Sequence, residues 1–359
     1  PQAVNLIDPQ SFYKAVTDDA RKANDQCPDA VRAGFAAVIE LARSQEGRVK
    51  IKDTFELCEV FGPSAANLSH FIQYARNAWT EMAMCNYPYP SSFLAPLPAW
   101  PIKAACEKVL AESDPLIGLA AAVAMPYRIP GASCFDTKTL FVECADQTGC
   151  GTGNAARAWD YQMCTEISYD QATTNVSDMF PPRNWTLANA SSYCKAHYNV
   201  EPNPSFSRVH LGGVDMVRTA SKIIFSNGLL DPWHGGGYLR DQGPSLPAVV
   251  IDLGAHHLDL RIATADDPPD VIAARAQEKA YIKQWLEEDG LLCSAQAPTP
   301  PGTSTSTGVP AGGVVAIALA SAAVAAAAAG FLAWRRTRAR TPQPLQVDYP
   351  TAQVSLTSA

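Results

Sequence analysis

Two apolar runs late in the chain each end in a residue that could move or steady a proton. The first reads Ser221-Lys-Ile-Ile-Phe-Ser-Asn-Gly-Leu-Leu-Asp231-Pro-Trp-His-Gly-Gly-Gly237, and the second Pro247-Ala-Val-Val-Ile-Asp-Leu-Gly-Ala-His256-His257-Leu-Asp-Leu-Arg261. An acid and then a histidine, each just past a strand-like run, form a pair in which the carboxylate orients an imidazole serving a nucleophile. Residue type alone leaves His256, His257 and His234 all open as the relay histidine. Adjacent side chains leave a loop in different directions, so only one of the first two can face Asp231.

The order acid then histidine is the rear of a Ser, Asp, His triad as α/β hydrolases carry it. No Gly-x-Ser-x-Gly occurs, and the chain starts at Pro1 without an initiator Met, a signal peptide or a glycine-rich oxyanion loop. We therefore expect the C-terminal portion of a serine hydrolase whose nucleophile lies outside these residues. What precedes the two strands reads as mainly helical. Helices are predicted at Ser11 to Ala23, at Pro28 to Ser44 with proline in the first turn, and along Asn67 to Met84. In the last, Leu68, Phe71, Ile72, Ala75, Trp79 and Met82 share one face, and Tyr87-Pro-Tyr-Pro90 follows as punctuation. Periodicity fades from Cys134 to Cys194, which predicts a loop-rich stretch that needs staples. A final helix is predicted from Pro268 to Glu288. The expected fold class is α/β: an α/β-hydrolase fold with a large, helical, disulfide-stapled cap inserted ahead of the Asp- and His-bearing strands. Residues 1–205 would be the cap, and 206–292 the end of the hydrolase domain.

The 359 residues are 47% hydrophobic and 18% charged, enough for a sizeable core. A net charge of −7 argues against binding nucleic acid by phosphate neutralisation. Ten cysteines occur without a CxxC pair or a His-x-x-x-His pair, so neither a metal nor another cofactor is expected, and disulfides in an oxidising compartment are. Four sequons, at Asn67, Asn175, Asn184 and Asn189, suit glycosylation in the same compartment.

Residues 313–334 carry no charge and are followed by Arg335-Arg-Thr-Arg-Ala-Arg340. As a helix these 22 residues would reach roughly 33 Å, against a hydrocarbon core of about 30 Å. The pattern predicts a transmembrane helix with residues 335–359 as cytoplasmic tail, and a single-pass type I protein whose catalytic domain is lumenal or extracellular, in the endolysosomal system or at the cell surface. Residues 293–312, rich in Pro, Ser and Thr, would be a stalk.

Three strings identify the chain more closely: Phe225-Ser-Asn-Gly-Leu-Leu-Asp-Pro-Trp-His-Gly-Gly-Gly237, Gly254-Ala-His-His-Leu-Asp-Leu-Arg261 and Trp159-Asp-Tyr-Gln-Met-Cys-Thr-Glu166. Together with Met84-Cys-Asn-Tyr-Pro-Tyr-Pro90 and Asp178-Met-Phe-Pro181, they resemble the serine-peptidase family of lysosomal Pro-X carboxypeptidase and dipeptidyl peptidase II, nearly collinearly over residues 12–288. The resemblance implies Asp231 and His256 as relay residues, His257 as a structural neighbour, and Trp233 as a wall of a proline-accepting pocket. It also implies the disulfides Cys27–Cys106, Cys58–Cys134, Cys144–Cys150 and Cys164–Cys194, with Cys85 and Cys293 left over. Glu143-Cys-Ala-Asp-Gln-Thr-Gly-Cys-Gly-Thr-Gly153 looks like the dipeptidyl peptidase. That likeness implies Asp146 as the acid that holds a substrate ammonium, although an acid in a small disulfide loop reads equally as a surface group. The expected activity is release of N-terminal dipeptides with Pro or Ala second. The alternatives are a Pro-X carboxypeptidase and a non-catalytic, membrane-anchored, hydrolase-like ectodomain. Peptide substrates, the membrane and a second copy of the chain as a homodimer are the expected partners, with no nucleic acid.

Overall fold

In the computed structural model, the described residues are 8–167, 171–210, 217 and 219–292. The stalk, the apolar segment 313–334, the basic tail and Cys293 lie outside them. Among the described residues no helix is long and apolar enough to cross a membrane.

The helices in chain order are α1 (Ser11–Ala23), α2 (Cys27–Leu41), α3 (Gln45–Thr54), α4 (Ala65–Met84), α5 (Pro101–Ala111), α6 (Pro115–Tyr127), α7 (Thr137–Leu140), α8 (Asn154–Gln162), α9 (Leu187–Tyr198), α10 (Phe206–His210) and α11 (Pro269–Glu288). A short ribbon, β1 (Ser91–Ser92) with β2 (Pro96–Leu97), is antiparallel. The strands that matter for the site are β3 (Phe225–Gly228) and β4 (Ala248–Ile251), which pair in parallel with Phe225 opposite Ala248 and Gly228 opposite Ile251. All of these elements fall within one contact unit, residues 1–294.

Local chemistry explains most helix boundaries. Ser64 caps α4 by accepting from the Asn67 amide at 3.2 Å, and Asp114 caps α6 by accepting from the Leu116 amide at 2.9 Å. Proline in the first turn opens α5 and α6, where its missing N–H costs nothing. Pro101 and Pro115 are accordingly the first residues of their helices. The stretch from Cys134 to Cys194 is less irregular than its composition predicts, because α8 and α9 form within it and Cys164–Cys194 ties them together.

Helix α4 departs from the single apolar face its pattern predicts. From Phe71 to Ala83 it is covered on nearly all sides, including Gln73, Arg76, Asn77, Thr80 and Glu81, while Leu68 and Ile72 stay partly open. It runs through the middle of the helical layer, so its polar residues must find internal partners. Arg76 donates to the Gln147 carbonyl at 3.0 Å and lies over the Tyr13 ring, and Asn77 donates to Glu81 at 2.8 Å. Helices α2 and α6 approach closely at Gly34, where a Cβ would stand 2.6 Å from Leu119 Cβ and 2.8 Å from the Pro115 carbonyl oxygen.

The helical layer joins the strands through α1. Its buried face presents Phe12, Tyr13, Val16 and Ala20, and Phe12 meets Trp233 edge to face with centroids 4.9 Å apart. Phe12→Ala removes a fully buried ring from this junction. It is expected to cost about 3–5 kcal/mol of stability, read as a lower urea midpoint at unchanged m-value.

Candidate active site

The parallel pairing of β3 and β4 brings their C-terminal ends side by side. Beyond β3, Asp231 caps the 3₁₀ turn Pro232–Gly236, its Oδ1 accepting from the Trp233 amide at 3.1 Å. The other oxygen, Oδ2, lies 2.9 Å from His256 Nδ1, beyond β4. A carboxylate only accepts, so the ring nitrogen facing it is the donor and Nε2 keeps its lone pair. Two glycines permit this approach: at Gly228 a Cβ would fall 2.2 Å from the Gly254 carbonyl oxygen.

The backbone of His256 is gripped by the end of α4. Its amide donates to the Met84 carbonyl at 3.2 Å, and its carbonyl accepts from the Tyr87 hydroxyl at 2.7 Å. Burial pushes the Tyr87 phenol up to about 12, which keeps it a donor. Trp233 Nε1 also reaches α4, donating to Met84 Sδ at 3.3 Å. The two other candidate histidines are placed differently. His257 sits at φ 57° with its ring stacked on that of His256, 3.7 Å between centroids. Desolvation and the neighbouring His256 lower its pKa. His234 turns its Nδ1 to the Asp231 carbonyl at 2.6 Å. Phe225, Asn227, Asp231, Trp233, His234 and His256 all line a cavity of about 530 Å³.

Asp146 is 2% exposed and is no surface acid. Its Oδ1 accepts from the amide and hydroxyl of Thr148, both at 2.9 Å, and its Oδ2 from Trp159 Nε1 at 2.8 Å. Burial still raises its pKa against those donors. The Trp159 ring then meets Trp233 edge to face at 6.1 Å. Two indoles therefore connect the loop of Asp146 to the turn of Asp231. Trp233 itself is 7% exposed.

The residues paired by resemblance form disulfides: Cys27–Cys106, Cys58–Cys134, Cys144–Cys150 and Cys164–Cys194. Cys85 is buried and has no disulfide partner among the described residues. Cys144, Cys150 and Asp160 cluster at metal-like spacing, but both sulfurs are in the disulfide, and Asp160 accepts from the Ala145 amide and from Tyr193 and Tyr198. Asn67, Asn175, Asn184 and Asn189 are all exposed.

One acid near the relay has no signature in the sequence. Asp19, on the buried side of α1, is 3% exposed, and neither carboxyl oxygen has a hydrogen-bond partner among the described residues. Lys22 Nζ approaches to 3.5 Å. Burial pushes Asp19 up to about 8, and the charge of Asp231 adds to the shift. An acid inside an otherwise ordinary amphipathic helix could be found only once the packing of α1 on the Asp231 turn was known.

A family model described as serine carboxypeptidase S28 matches residues 3–278. The lysosomal Pro-X carboxypeptidase of Homo sapiens is 34% identical over 291 residues, covering 80% of this chain and 56% of the relative. That of Bos taurus is 33% identical over 289 residues, covering 79% and 56%. A prolyl carboxy peptidase like protein 5 of Caenorhabditis elegans is 33% identical over 278 residues, covering 72% and 53%. The chain thus spans little more than half the length of these curated relatives.

Trp159→Phe keeps the ring but removes the donor to Asp146. It is expected to cost about 1–3 kcal/mol by leaving a buried acceptor short of a partner, measured by urea unfolding, and to raise the Asp146 pKa further. The second effect is read by carboxyl carbon NMR.

Proposed function

Since this chain belongs to the serine carboxypeptidase S28 family, with the α/β-hydrolase-like fold that membership implies, we propose that it carries the relay of a serine exopeptidase acting beside proline. The observation that carries this reading is the 2.9 Å contact of Asp231 with His256 at the ends of two parallel strands, open to a cavity. In the complete protein, Asp231 steadies the charged imidazole. His256 Nε2 takes the proton of a serine outside these residues as that oxygen attacks the scissile carbonyl. The same proton then goes to the leaving amine, and water clears the acyl-enzyme by the reverse sequence. Residues 1–205 act as the cap over this site, and residues 206–292 as the end of the hydrolase domain.

For specificity we favour removal of N-terminal dipeptides with proline or alanine second. Thr148 and Trp159 donate to Asp146 and hold its carboxylate in one orientation, the fixed acid that recognition of an ammonium requires. The two indoles between Asp146 and Asp231 give the acid a fixed distance from the relay, which counting two residues requires. Trp233 offers an apolar wall suited to a proline ring. The second reading, a Pro-X carboxypeptidase, is favoured by the names of the human and bovine relatives. We further propose glycans at the four exposed sequons and a lumenal or secretory location, supported by four disulfides and by relatives named lysosomal. Residues 313–334 would anchor the protein.

His256→Ala in the complete protein is expected to abolish turnover, and unchanged turnover would refute the relay assignment. Acetylating the substrate amine, or Asp146→Ala, should each cost about 2–5 kcal/mol in kcat/KM. The two together should cost little more than one alone. Release of phenylalanine from a peptide ending in Pro-Phe, with an Xaa-Pro-chromophore untouched, would establish the carboxypeptidase instead.

A further inference from the structure

Three elements meet beside the relay at a single hydroxyl. Ser226 on β3 places its Oγ 2.7 Å from Asp259 Oδ2 and 2.9 Å from Glu278 Oε1. Asp259 lies in the 3₁₀ turn Leu258–Leu260 that directly follows the two histidines, and Glu278 is on α11. Both carboxyl groups therefore converge on one hydroxyl oxygen. A hydroxyl has one hydrogen and an ionised carboxylate has none. Two ionised acids around Ser226 would therefore leave one close oxygen pair with no hydrogen between them.

We infer that Asp259 and Glu278 hold one proton between them, and that this shared proton latches the loop of His256 to β3 and α11. The hydrogen of Ser226 serves one carboxyl, and the acid hydrogen serves the remaining contact. When the proton leaves, two like charges face each other across the hydroxyl and the latch loosens, which makes both acids positioning residues for His256. Among the described residues the cation that acts on Glu278 is Arg275, whose charge opposes the upward shift without reversing it. Arg275, one turn before Glu278, is committed to Asp267 and to the carbonyls of Leu258 and Asp259. His257 is the other titratable group near Asp259, and its charged form is disfavoured by desolvation and by His256. Strand β4, Ala248–Ile251, contributes no titratable side chain. Burial and the nearby Asp259 raise the Glu278 pKa, in agreement with the proton count.

The sign of the pH effect follows. A carboxyl whose folded pKa is raised binds its proton more tightly in the native state. Its stabilisation is complete below the ordinary glutamate range and is lost as pH rises through the raised value. Glu278→Gln keeps a permanent donor in place of the acid. Between pH 5 and 7 the wild-type thermal midpoint should fall by roughly 2–4 °C more than that of Glu278→Gln. Asp19 contributes a slope of the same sign in both proteins and cancels in the difference. Infrared spectra of this chain at pH 5 should show protonated-carboxyl absorption to which the buried Asp19, Glu81 and Asp146 also contribute, and the difference spectrum against Glu278→Gln or Asp259→Asn should show one component of it lost. Neither measurement requires catalysis, so each stands apart from the peptidase reading. In the complete enzyme, the alkaline fall of kcat/KM should move to higher pH in Glu278→Gln, an effect that a purely structural contact would not produce. A carboxyl band unchanged in both variants, or wild-type and Glu278→Gln midpoints that track each other across the pH range, would overturn the proposal.

Discussion

The rest of the site depends on His256 being held from both ends. Its ring is fixed by Asp231 across the parallel strand ends, and its backbone by Met84 and Tyr87 at the end of α4. The strands alone would set the distance between acid and imidazole but not the direction of the loop that carries the ring. The helical layer supplies that direction, and α1 reinforces it by wedging Phe12 against Trp233 in the turn that begins at Asp231. The long buried α4 thus supports both the Asp231–His256 pair and the helical layer. That role explains why it carries so many polar residues in its interior, since a helix covered on every side cannot turn them outward.

Four buried or half-buried acids of this protein hold their protons more tightly than their types suggest. Burial moves Asp19, Glu81, Asp146 and Glu278 upward. Among the described residues Asp267, Glu143 and the exposed Glu56 move downward, held by the Thr264 amide together with Arg275, by His70 and by Arg128 respectively. Groups shifted upward bind protons in the native state that the unfolded chain would release at neutral pH, so they favour the folded form on the acid side and weaken it as pH rises.

Much of this was legible in the residues and some was not. The bounds of α1 and the start of the last helix could be read from periodicity and proline, and the two strands from their Val, Ile and Phe runs. Helices α5 and α6 were hidden because alanine gives no face to follow and their prolines look like breaks until they fall at a first turn. Asp146 reads as a surface acid because nothing local reveals that Trp159 and Thr148 will close over it. Ser226, Asp259 and Glu278 lie far apart in sequence, so only tertiary packing could show one hydroxyl between two carboxyls. The Asp231–His256 pair was visible because it sits at strand ends in a fixed chain order, whereas the groups around it were placed by packing.

The most direct test of the account is the ring N–H of His256. In a chain labelled with nitrogen-15 histidine, the Nδ1 proton facing Asp231 should appear as a downfield, slowly exchanging resonance. It should disappear in Asp231→Asn, and in Tyr87→Phe it should persist with faster exchange, because that variant loosens only the backbone grip. A resonance unaffected by Asp231→Asn, or exchange in Tyr87→Phe as slow as in the wild type, would contradict the claim that the strand ends and α4 hold the imidazole together.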